Sequence, residues 1–355
     1  MKKIQLFVPV LACLALCLFI FGCGSAAPSS DGGGAAGARI YFITQNAAIQ
    51  TALLSTYADG GGKETIRDFT SGPLMYTLEV VTLAPDSSVI IAQFRQNGKH
   101  YLGLMTPSGG SVSYDIWPDP GGSIPAFNAS FAPNSDVTCI TGDANPYFLS
   151  YATNEASIRA LCAASAESYP CLSKSSSYDA FEMLSRIWVK EVGNSNPAVK
   201  INNTTSNDSH PSFAPTDEAK IAFISRAGSN YYVAKRDDYS TGSIDKISTD
   251  FSYIYPPLIW SEDGAFIYFI AVSGSDSNWY KTEVDNGNQS LVLNHTGAGD
   301  YADPKKLPGS SRLFYVLIPT SGTGEIWSMD PATSATLEVY KDGNHNFFDY
   351  SNYIN

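Results

Sequence analysis

Apolar and polar residues alternate in short runs along most of the chain after residue 38, and turn residues separate the runs. In RIWVKEVGNSNPAVKI (186–201) and WYKTEVDNGNQSLVL (279–293), two alternating runs flank a turn rich in Gly, Asn, Asp or Pro. A period of two residues, bounded by such turns, is typical of antiparallel hairpins. The chain also has 21 Tyr and 18 Phe, which favour strands. The pattern therefore predicts an all-β fold.

A longer repeat is superimposed on this alternation. PSFAPTDEAKIAFIS (211–225) aligns with PLIWSEDGAFIYFIA (257–271), so that a proline, a polar turn and an apolar run coincide. The stretches 303–317 and 82–94 have the same form. Each repeat joins one such hairpin to one of the alternating hairpins, which makes four strands. A four-stranded unit that recurs at this period is the blade of a β-propeller.

One repeat also carries a family resemblance. The stretch EVGNSNPAVKINNTTSNDSHPSFAPTDEAKIAFIS (191–225) resembles the repeat of TolB-type propellers, whose units have the form D-G-x-x-x-x-L-T followed by P-x-W-S-P-D-G-x-x-I-A-F. The resemblance is most specific over 186–300. This chain has Phe-Ala-Pro in place of the family's Trp-Ser-Pro, and Gly follows Asp in this turn only at Asp263-Gly264. The resemblance implies a propeller of the TolB type.

The two ends of the chain suggest how the propeller closes. RIYFIT (39–44) has the form of a second strand, but no typical first strand precedes it. NFFDYSNYI (346–354) has the aromatic, strand-like character of the missing strand. Pairing of these segments would complete one blade and remove two exposed sheet edges. This count predicts six four-stranded blades, closed by the N- and C-terminal strands.

A seventh blade is the alternative. The tetrapeptide SFAP occurs at Ser130–Pro133 and again at Ser212–Pro215, and the distance between them is nearly two repeats. The intervening ASAESYPCLSKSSSYDA (164–180) has the character of a loop. We therefore favour six blades with an insertion at about 142–184, and the two SFAP segments then belong to successive blades.

The first 38 residues differ from the rest. A basic start is followed by an apolar segment at 4–22 and then by Cys23, which is the pattern of a secretory signal. A Cys at this position resembles the signal of bacterial lipoproteins, in which that Cys carries lipid after cleavage. We expect a signal peptide at 1–22, a lipidated Cys23 with a flexible tether at 23–38, and the propeller at 39–355. An uncleaved anchor helix is the alternative, because the apolar segment could nearly span a bilayer.

These features predict a location in the cell envelope, on the periplasmic or extracellular face of a membrane that the sequence does not identify. The chain has 34 acidic and 22 basic residues, a net charge of −12. A nucleic-acid partner would require a basic face, so none is expected. The membrane contact is predicted to run through the N-terminal lipid alone.

The cysteines of the predicted exported part are Cys139, Cys162 and Cys171. An odd number in an oxidising compartment predicts one disulfide and one free thiol. We expect Cys162 to pair with Cys171, because they are close in sequence within an irregular stretch, and Cys139 to be a small core residue. No Cys-x-x-Cys spacing occurs and the histidines are scattered, so no metal or other cofactor is expected.

The predicted topology also places candidate binding residues. If the strands of a blade run alternately up and down, the start of the first strand and the connection between the second and third share one face. Asp208 and His210 lie at such a start, and His345 lies at the start of the closing strand. These three residues form the predicted binding rim, on the face that would also carry the insertion at 142–184. Ordinary solvated side chains are the alternative interpretation.

Motifs for catalysis are missing from the sequence. It contains no Gly-x-Ser-x-Gly, no His-Glu-x-x-His, no phosphate loop and no dinucleotide fingerprint, so no catalytic residue is assigned. The sequence favours an envelope-anchored lipoprotein whose propeller binds a protein or a peptide. The alternative is a propeller hydrolase or lyase that acts on a carbohydrate or a peptide at the central channel.

Overall fold

Strands form all the regular secondary structure that the computed structural model describes. The described residues are 39–45, 51–68, 77–83, 90–96, 99–105, 129–131, 137–141, 146–150, 159–160, 167–175, 177–192, 194–201, 206–295, 299–306, 310–319, 324–341 and 346–353. They contain 27 strands and no helix. All of them belong to one compact unit, residues 34–355. The predicted all-β class is confirmed.

The strands follow one another closely, as the alternation of apolar and polar residues predicts. In chain order they are β1 (Arg39–Gln45), β2 (Thr51–Tyr57), β3 (Glu64–Asp68), β4 (Thr77–Leu83), β5 (Ile90–Gln96), β6 (Lys99–Met105), β7 (Ala129–Phe131), β8 (Val137–Thr141), β9 (Pro146–Ser150), β10 (Arg159–Ala160), β11 (Glu167–Leu172), β12 (Tyr178–Met183), β13 (Ile187–Glu191), β14 (Val199–Lys200), β15 (Asn207–Phe213), β16 (Ile221–Ala227), β17 (Asn230–Arg236), β18 (Ile244–Lys246), β19 (Tyr253–Trp260), β20 (Phe266–Ser273), β21 (Asp276–Glu283), β22 (Gln289–Leu293), β23 (Gly299–Lys306), β24 (Leu313–Pro319), β25 (Glu325–Met329), β26 (Thr336–Tyr340) and β27 (Asn346–Tyr353).

These strands form seven antiparallel sheets within the described residues. Sheet I has the order β27-β1-β2-β3, and sheet II consists of β4, β5 and β6. Sheets III to VII each take four consecutive strands: β7–β10, β11–β14, β15–β18, β19–β22 and β23–β26. In sheet I the strands from the two ends of the chain are hydrogen-bonded neighbours, with Phe42 opposite Tyr350 and Ile43 opposite Asp349.

One part of the sequence interpretation is wrong. The stretch 164–180 is not a loop throughout, because it contains β11 and the start of β12, and these strands form sheet IV with β13 and β14. The two SFAP segments therefore belong to sheets III and V, which are not successive. The strand β11 was missed because it contains Pro170, and its register with β12 shifts between Ser168 and Cys171, which interrupts the alternation.

Successive sheets pack against each other through buried apolar side chains. Each of four described inter-sheet cores combines residues from two sheets: Ala180 and Val189 with Ile221 and Phe223 (IV and V), Ile224 and Val233 with Ile267 and Phe269 (V and VI), Ile270 and Trp279 with Tyr315 and Met329 (VI and VII), and Phe314 and Ile326 with Ile40 and Phe42 (VII and I). Strand contacts also join sheet I to II, II to III and III to IV.

Candidate functional site

The first strands of several sheets share a backbone irregularity. In sheets IV, V and VII, a non-glycine residue before a proline has a positive φ: 52° at Tyr169, 51° at His210 and 48° at Asp303. The antiparallel register shifts at the same points. In sheet VI the corresponding shift begins after Tyr255. A positive φ is uncommon outside glycine, and such strain is found at functional sites. The bulges in these four first strands therefore mark the level of a candidate site.

Four tyrosines lie at or beside this level, and we call Tyr169, Tyr231, Tyr253 and Tyr255 the tyrosine cluster. The ring centroids of Tyr231 and Tyr253 are 5.2 Å apart, and those of Tyr253 and Tyr255 are 5.0 Å apart, with interplanar angles of 68° and 85°. Tyr169 and Tyr253 are 39% and 40% exposed. Tyr231, Tyr253 and Tyr255 therefore pack edge to face, and the cluster is partly open to solvent.

Acidic groups lie close to the tyrosine cluster. Burial raises the pKa of Tyr253, and Tyr231, Tyr169 and Asp303 add to this shift through their charge. Burial likewise raises the pKa of Tyr255, with contributions from Asp300, Tyr253 and Asp303. The phenol groups of Tyr253 and Tyr255 therefore stay protonated near neutral pH, and the carboxylates of Asp300 and Asp303 make the surroundings of these rings negative.

His210 of the predicted rim stacks against the cluster. Its ring centroid is 3.7 Å from that of Tyr169, with an interplanar angle of 32°. Burial lowers the pKa of His210 to about 4, so the imidazole is neutral near pH 7. Its Nδ1 atom is buried, and no hydrogen-bond partner for it lies among the described residues. His210 therefore contributes an uncharged aromatic face.

Asp208, two residues before His210, is buried rather than exposed. Asp208 is only 1% exposed. Neither of its carboxylate oxygens has a well-aligned hydrogen-bond partner in the described part of the chain. Burial raises the pKa of Asp208 to about 6, although the hydroxyls of Ser225 and Ser206 and the charge of Arg186 act in the opposite direction. The prediction that Asp208 is a rim residue is therefore corrected, because its side chain points into the protein.

Asp208 has a second carboxyl group beside it. Burial, with a smaller contribution from the charge of Asp208, raises the pKa of Glu182 to about 7. Arg186 lies near, but it donates to the carbonyl oxygens of Ser185, at 2.7 Å, and of Ser206. Within the described residues neither carboxyl group forms a salt bridge, and proton binding relieves the cost of burying their charge.

This arrangement predicts an unusual pH dependence of stability. An acid whose pKa is raised in the folded state stabilises the fold at low pH and loses that contribution as the pH rises through the folded value. For Asp208 the window runs from 3.8 to about 6, and for Glu182 from 4.5 to about 7. Burial lowers the pKa of His210 from 6.5 to about 4, so this residue contributes stability that is gained as the pH rises from about 4 to 6.5.

Replacing the buried carboxyl group should reveal this effect. We expect Asp208→Asn to be about as stable as the wild type at pH 4 and more stable by roughly 1–3 kcal/mol at pH 8, since each pKa unit corresponds to about 1.4 kcal/mol. The reason is that Asn carries no charge that must be buried. Urea unfolding of both proteins across this pH range measures the difference, and the contribution of His210 cancels because both proteins contain it.

The control for this prediction is Asp285→Asn, which removes the same charge from an exposed turn after β21. Its stability should follow that of the wild type at every pH. A loss of stability in Asp208→Asn that is equal at pH 4 and pH 8 would contradict the assignment, because it would mean that the carboxylate oxygens accept structural hydrogen bonds.

A cavity lies at the opposite ends of the same first strands. It has a volume of about 440 Å³, and sheets V, VI and VII contribute to its lining. The lining includes Ser212 and Phe213 of the second SFAP segment and the equivalent Trp260, whose indole donates to the Ser212 carbonyl at 3.2 Å. Lys306 at its edge pairs with Glu262 at 3.1 Å. The repeat that the sequence shows therefore lines a cavity shared by three sheets.

The remaining predicted residues have different outcomes. Cys171 is a free cysteine, so the structure does not contain the predicted bridge, and Cys162 lies outside the described residues. Burial raises the pKa of Cys171 to about 11, which leaves its thiol protonated near neutral pH. His345 and Cys23 also lie outside the described residues.

Two features are absent from the described residues. Those residues contain no group of three or more His, Cys, Asp or Glu side chains that could hold a metal ion. Among them there is also no helix with the length and apolar character needed to cross a membrane.

Comparison with solved structures finds proteins of the same fold at low sequence identity. TolB from Acinetobacter baumannii matches with a TM-score of 0.53 and 14% identity, over 88% of this chain and 66% of that chain. An oligogalacturonate lyase in complex with manganese matches with a TM-score of 0.58 and 12% identity, over 85% of this chain and 84% of that chain. A prolyl endopeptidase matches with a TM-score of 0.65 and 11% identity, over 84% of this chain and 48% of that chain.

No protein-family model and no curated protein matches the sequence. The four-stranded antiparallel sheets and these neighbours define a β-propeller fold. The TolB-like character that the repeat suggested is confirmed at the level of the fold. Because the identities are low, the likeness establishes the architecture, and function has to be argued from the site.

Proposed function

We propose that the protein is an envelope-anchored lipoprotein whose propeller binds a protein or a peptide at the face that carries the tyrosine cluster. The observation that carries the proposal is the cluster itself. Tyrosines with partly exposed rings are enriched at protein interfaces, because they bury a large area and keep a polar hydroxyl group. Tyr169 and Tyr253, which come from different sheets, are 39% and 40% exposed.

The architecture that we propose for this scaffold is a ring of seven blades closed by the chain ends. Three observations support it. The described strands form seven sheets, β1 and β27 are neighbours in sheet I, and apolar residues of sheets VII and I share one core. A closed ring holds the first strands of all blades around one axis, which would keep the tyrosine cluster in a fixed geometry.

The anchor is the second part of the proposal. The basic start, the apolar segment at 4–22 and the following Cys23 support a lipid-anchored location on an envelope membrane. The tether at 23–38, which is rich in Gly, Ser and Ala, would let the propeller reach a partner close to that membrane.

A hydrolase or lyase is the second candidate function, and one observation favours it. Burial and the neighbouring charge of Asp208 raise the pKa of Glu182 to about 7, which suits a general acid or base near neutral pH. An oligogalacturonate lyase and a prolyl endopeptidase are among the structural neighbours. The carboxyl pair would have to meet a substrate, and the burial of Asp208 makes binding by the exposed tyrosines the better supported function.

Site-specific photocrosslinking in cells tests the binding function. A photoreactive phenylalanine analogue at Tyr253 of the full-length protein should give one discrete adduct, and an excess of unlabelled purified protein should suppress it. Leu291 is the matched control, because it is also exposed, at 51%, and also belongs to sheet VI. Equal adducts from both positions, or none from Tyr253, would contradict the proposal. Cleavage of an oligosaccharide or a peptide by the purified protein, lost in Glu182→Gln, would establish the second candidate instead.

A further inference from the structure

The geometry of the tyrosine cluster suits a particular kind of group. Tyr253 contacts Tyr231 and Tyr255 at 5.2 and 5.0 Å, and both contacts are close to perpendicular. In edge-to-face contacts, the rings present their faces in more than one direction. The face of an aromatic ring carries partial negative charge and attracts ammonium and guanidinium groups within about 6 Å of the ring centroid. Tyr253 is 40% exposed, so a cation can approach its ring from solvent.

One ring of the cluster already holds such a group. The guanidinium carbon of Arg226 lies 5.3 Å from the ring centroid of Tyr231, and its Nε donates to the carbonyl of Gly228 at 2.9 Å. The cluster can therefore accommodate a guanidinium on a tyrosine face. Because Arg226 lies over Tyr231 and is fixed by Gly228, it occupies one side of the cluster.

The charge around the remaining rings favours a second cation. Asp303 is exposed and acts electrostatically on both Tyr253 and Tyr255, and Asp300 acts on Tyr255. His210, which stacks on Tyr169, is neutral near pH 7 and would not repel a cation. The whole chain carries a net charge of −12, which would also attract a basic segment over a longer distance.

We infer that the tyrosine cluster binds a cationic side chain, lysine or arginine, presented by an extended segment of a peptide or protein partner. The ammonium or guanidinium group lies over Tyr253 and Tyr255, and Asp303 neutralises its charge. This inference rests on the proposed function as a peptide- or protein-binding module, and it specifies the chemistry of the partner. It also distinguishes the cluster from a sugar-binding platform, which would stack a neutral ring on the tyrosines.

Matched peptides test the inference with the purified protein. One peptide, acetylated and amidated at its ends, has the sequence Gly-Arg-Gly-Arg-Gly, and the other has citrulline in place of each arginine. Citrulline has nearly the shape of arginine but no charge. Calorimetric titration at pH 7 should show binding of the arginine peptide and a loss of at least about tenfold in affinity for the citrulline peptide.

Variants of the cluster provide the second half of the test. Tyr253→Leu should weaken binding of the arginine peptide by about tenfold, whereas Tyr253→Phe, which keeps the aromatic face, should bind nearly as the wild type does. Asp303→Asn should weaken binding and reduce its dependence on salt, because it removes the neutralising charge. Asn tolerates the positive φ at this position, so the backbone should be kept. Asp285→Asn, at a distant turn, is the matched control for charge and should have no effect.

Several results would overturn the inference. Equal affinity for the two peptides would show that charge is not recognised, and no binding of either peptide would exclude the cationic site. Unchanged binding by Tyr253→Leu would place the peptide elsewhere. The photocrosslinking at Tyr253 is independent of these measurements. A discrete adduct without binding of the arginine peptide would support a protein partner and reject the recognition of a cation. Binding of the arginine peptide without an adduct would support the recognition of a cation and reject a protein partner.

Discussion

Deletion of residues 346–355 is expected to lower the unfolding midpoint of the domain severely, or to prevent the recovery of folded protein. The deletion removes β27, which pairs with β1 along residues Ile40–Gln45. On this side the backbone groups of β1 would lose their partners, and Tyr41, Phe42 and Ile43, now at most 3% exposed, would lie at an open sheet edge. Loss of one core phenylalanine side chain costs about 3–5 kcal/mol, and whole domains are stable by only about 5–15 kcal/mol.

The matched control is deletion of residues 354 and 355 alone, which leaves β27 complete. Its thermal unfolding, followed by circular dichroism, should match that of the full chain. Chain ends are often dispensable, so the longer deletion could fail to change the midpoint. That result would mean that β27 does not hold the structure together, and the proposal of a ring closed by the two chain ends would fall with it.

The sequence predicted those hairpins whose turns and apolar runs are regular. The repeat PSFAPTDEAKIAFIS corresponds to the end of β15, its turn and β16, and PLIWSEDGAFIYFIA corresponds to the same parts of β19 and β20. In the second turn Gly264 has a φ of 71°, and a Cβ there would lie 2.6 Å from Oγ1 of Thr216. Local requirements of this kind are visible in a sequence because they restrict the residue type directly.

The alternation of apolar and polar residues did not predict sheet IV or the tyrosine cluster, because both depend on backbone bulges that this pattern does not show. The strand β11 includes Pro170 next to a bulge, so its residues do not alternate, although backbone pairing with β12 makes it a strand. The same bulges bring Tyr169, His210 and Asp303 to one level of three sheets. The only sequence signal for this was that each of these residues precedes a proline. The sequence did not identify Tyr253 as a site residue, because nothing in its local sequence distinguishes it from the other 20 of the 21 tyrosines.

Asp208 shows why the direction of a side chain in the predicted binding rim was difficult to infer from the sequence. The prediction used the position of Asp208 at the start of β15 and placed its side chain in solvent. In the structure Asp208 lies opposite Ser225 of β16 and is buried, whereas His210, after the register shift has begun, contacts Tyr169. A shift of one residue in a strand exchanges its two faces, so the direction of a side chain next to a bulge cannot be inferred from the sequence.

The second prediction with a large effect concerns the anchor. Cys23→Ser is expected to abolish lipid labelling of the protein and to leave an unprocessed precursor that keeps its signal peptide. The expected lipid is attached through sulfur, and a serine hydroxyl is a much weaker nucleophile than a thiolate. Without acyl chains, whose burial in the membrane contributes about 0.8 kcal/mol per CH₂, membrane association would depend on the uncleaved segment at 4–22. Metabolic labelling with a radioactive fatty acid, combined with electrophoretic mobility, measures both effects.

Cys17→Ser is the matched control, because it makes the same substitution inside the apolar segment, six residues before Cys23. This variant should be labelled and processed as the wild type is, since a single hydroxyl leaves most of the apolar segment unchanged. If Cys23→Ser is still cut at the same position and released, an ordinary signal peptidase processes the chain and the lipoprotein proposal is wrong. If neither variant nor the wild type is labelled, but all three remain in the membrane fraction at full length, the apolar segment is an uncleaved anchor. The predicted tether would then connect the propeller to a helix rather than to a lipid.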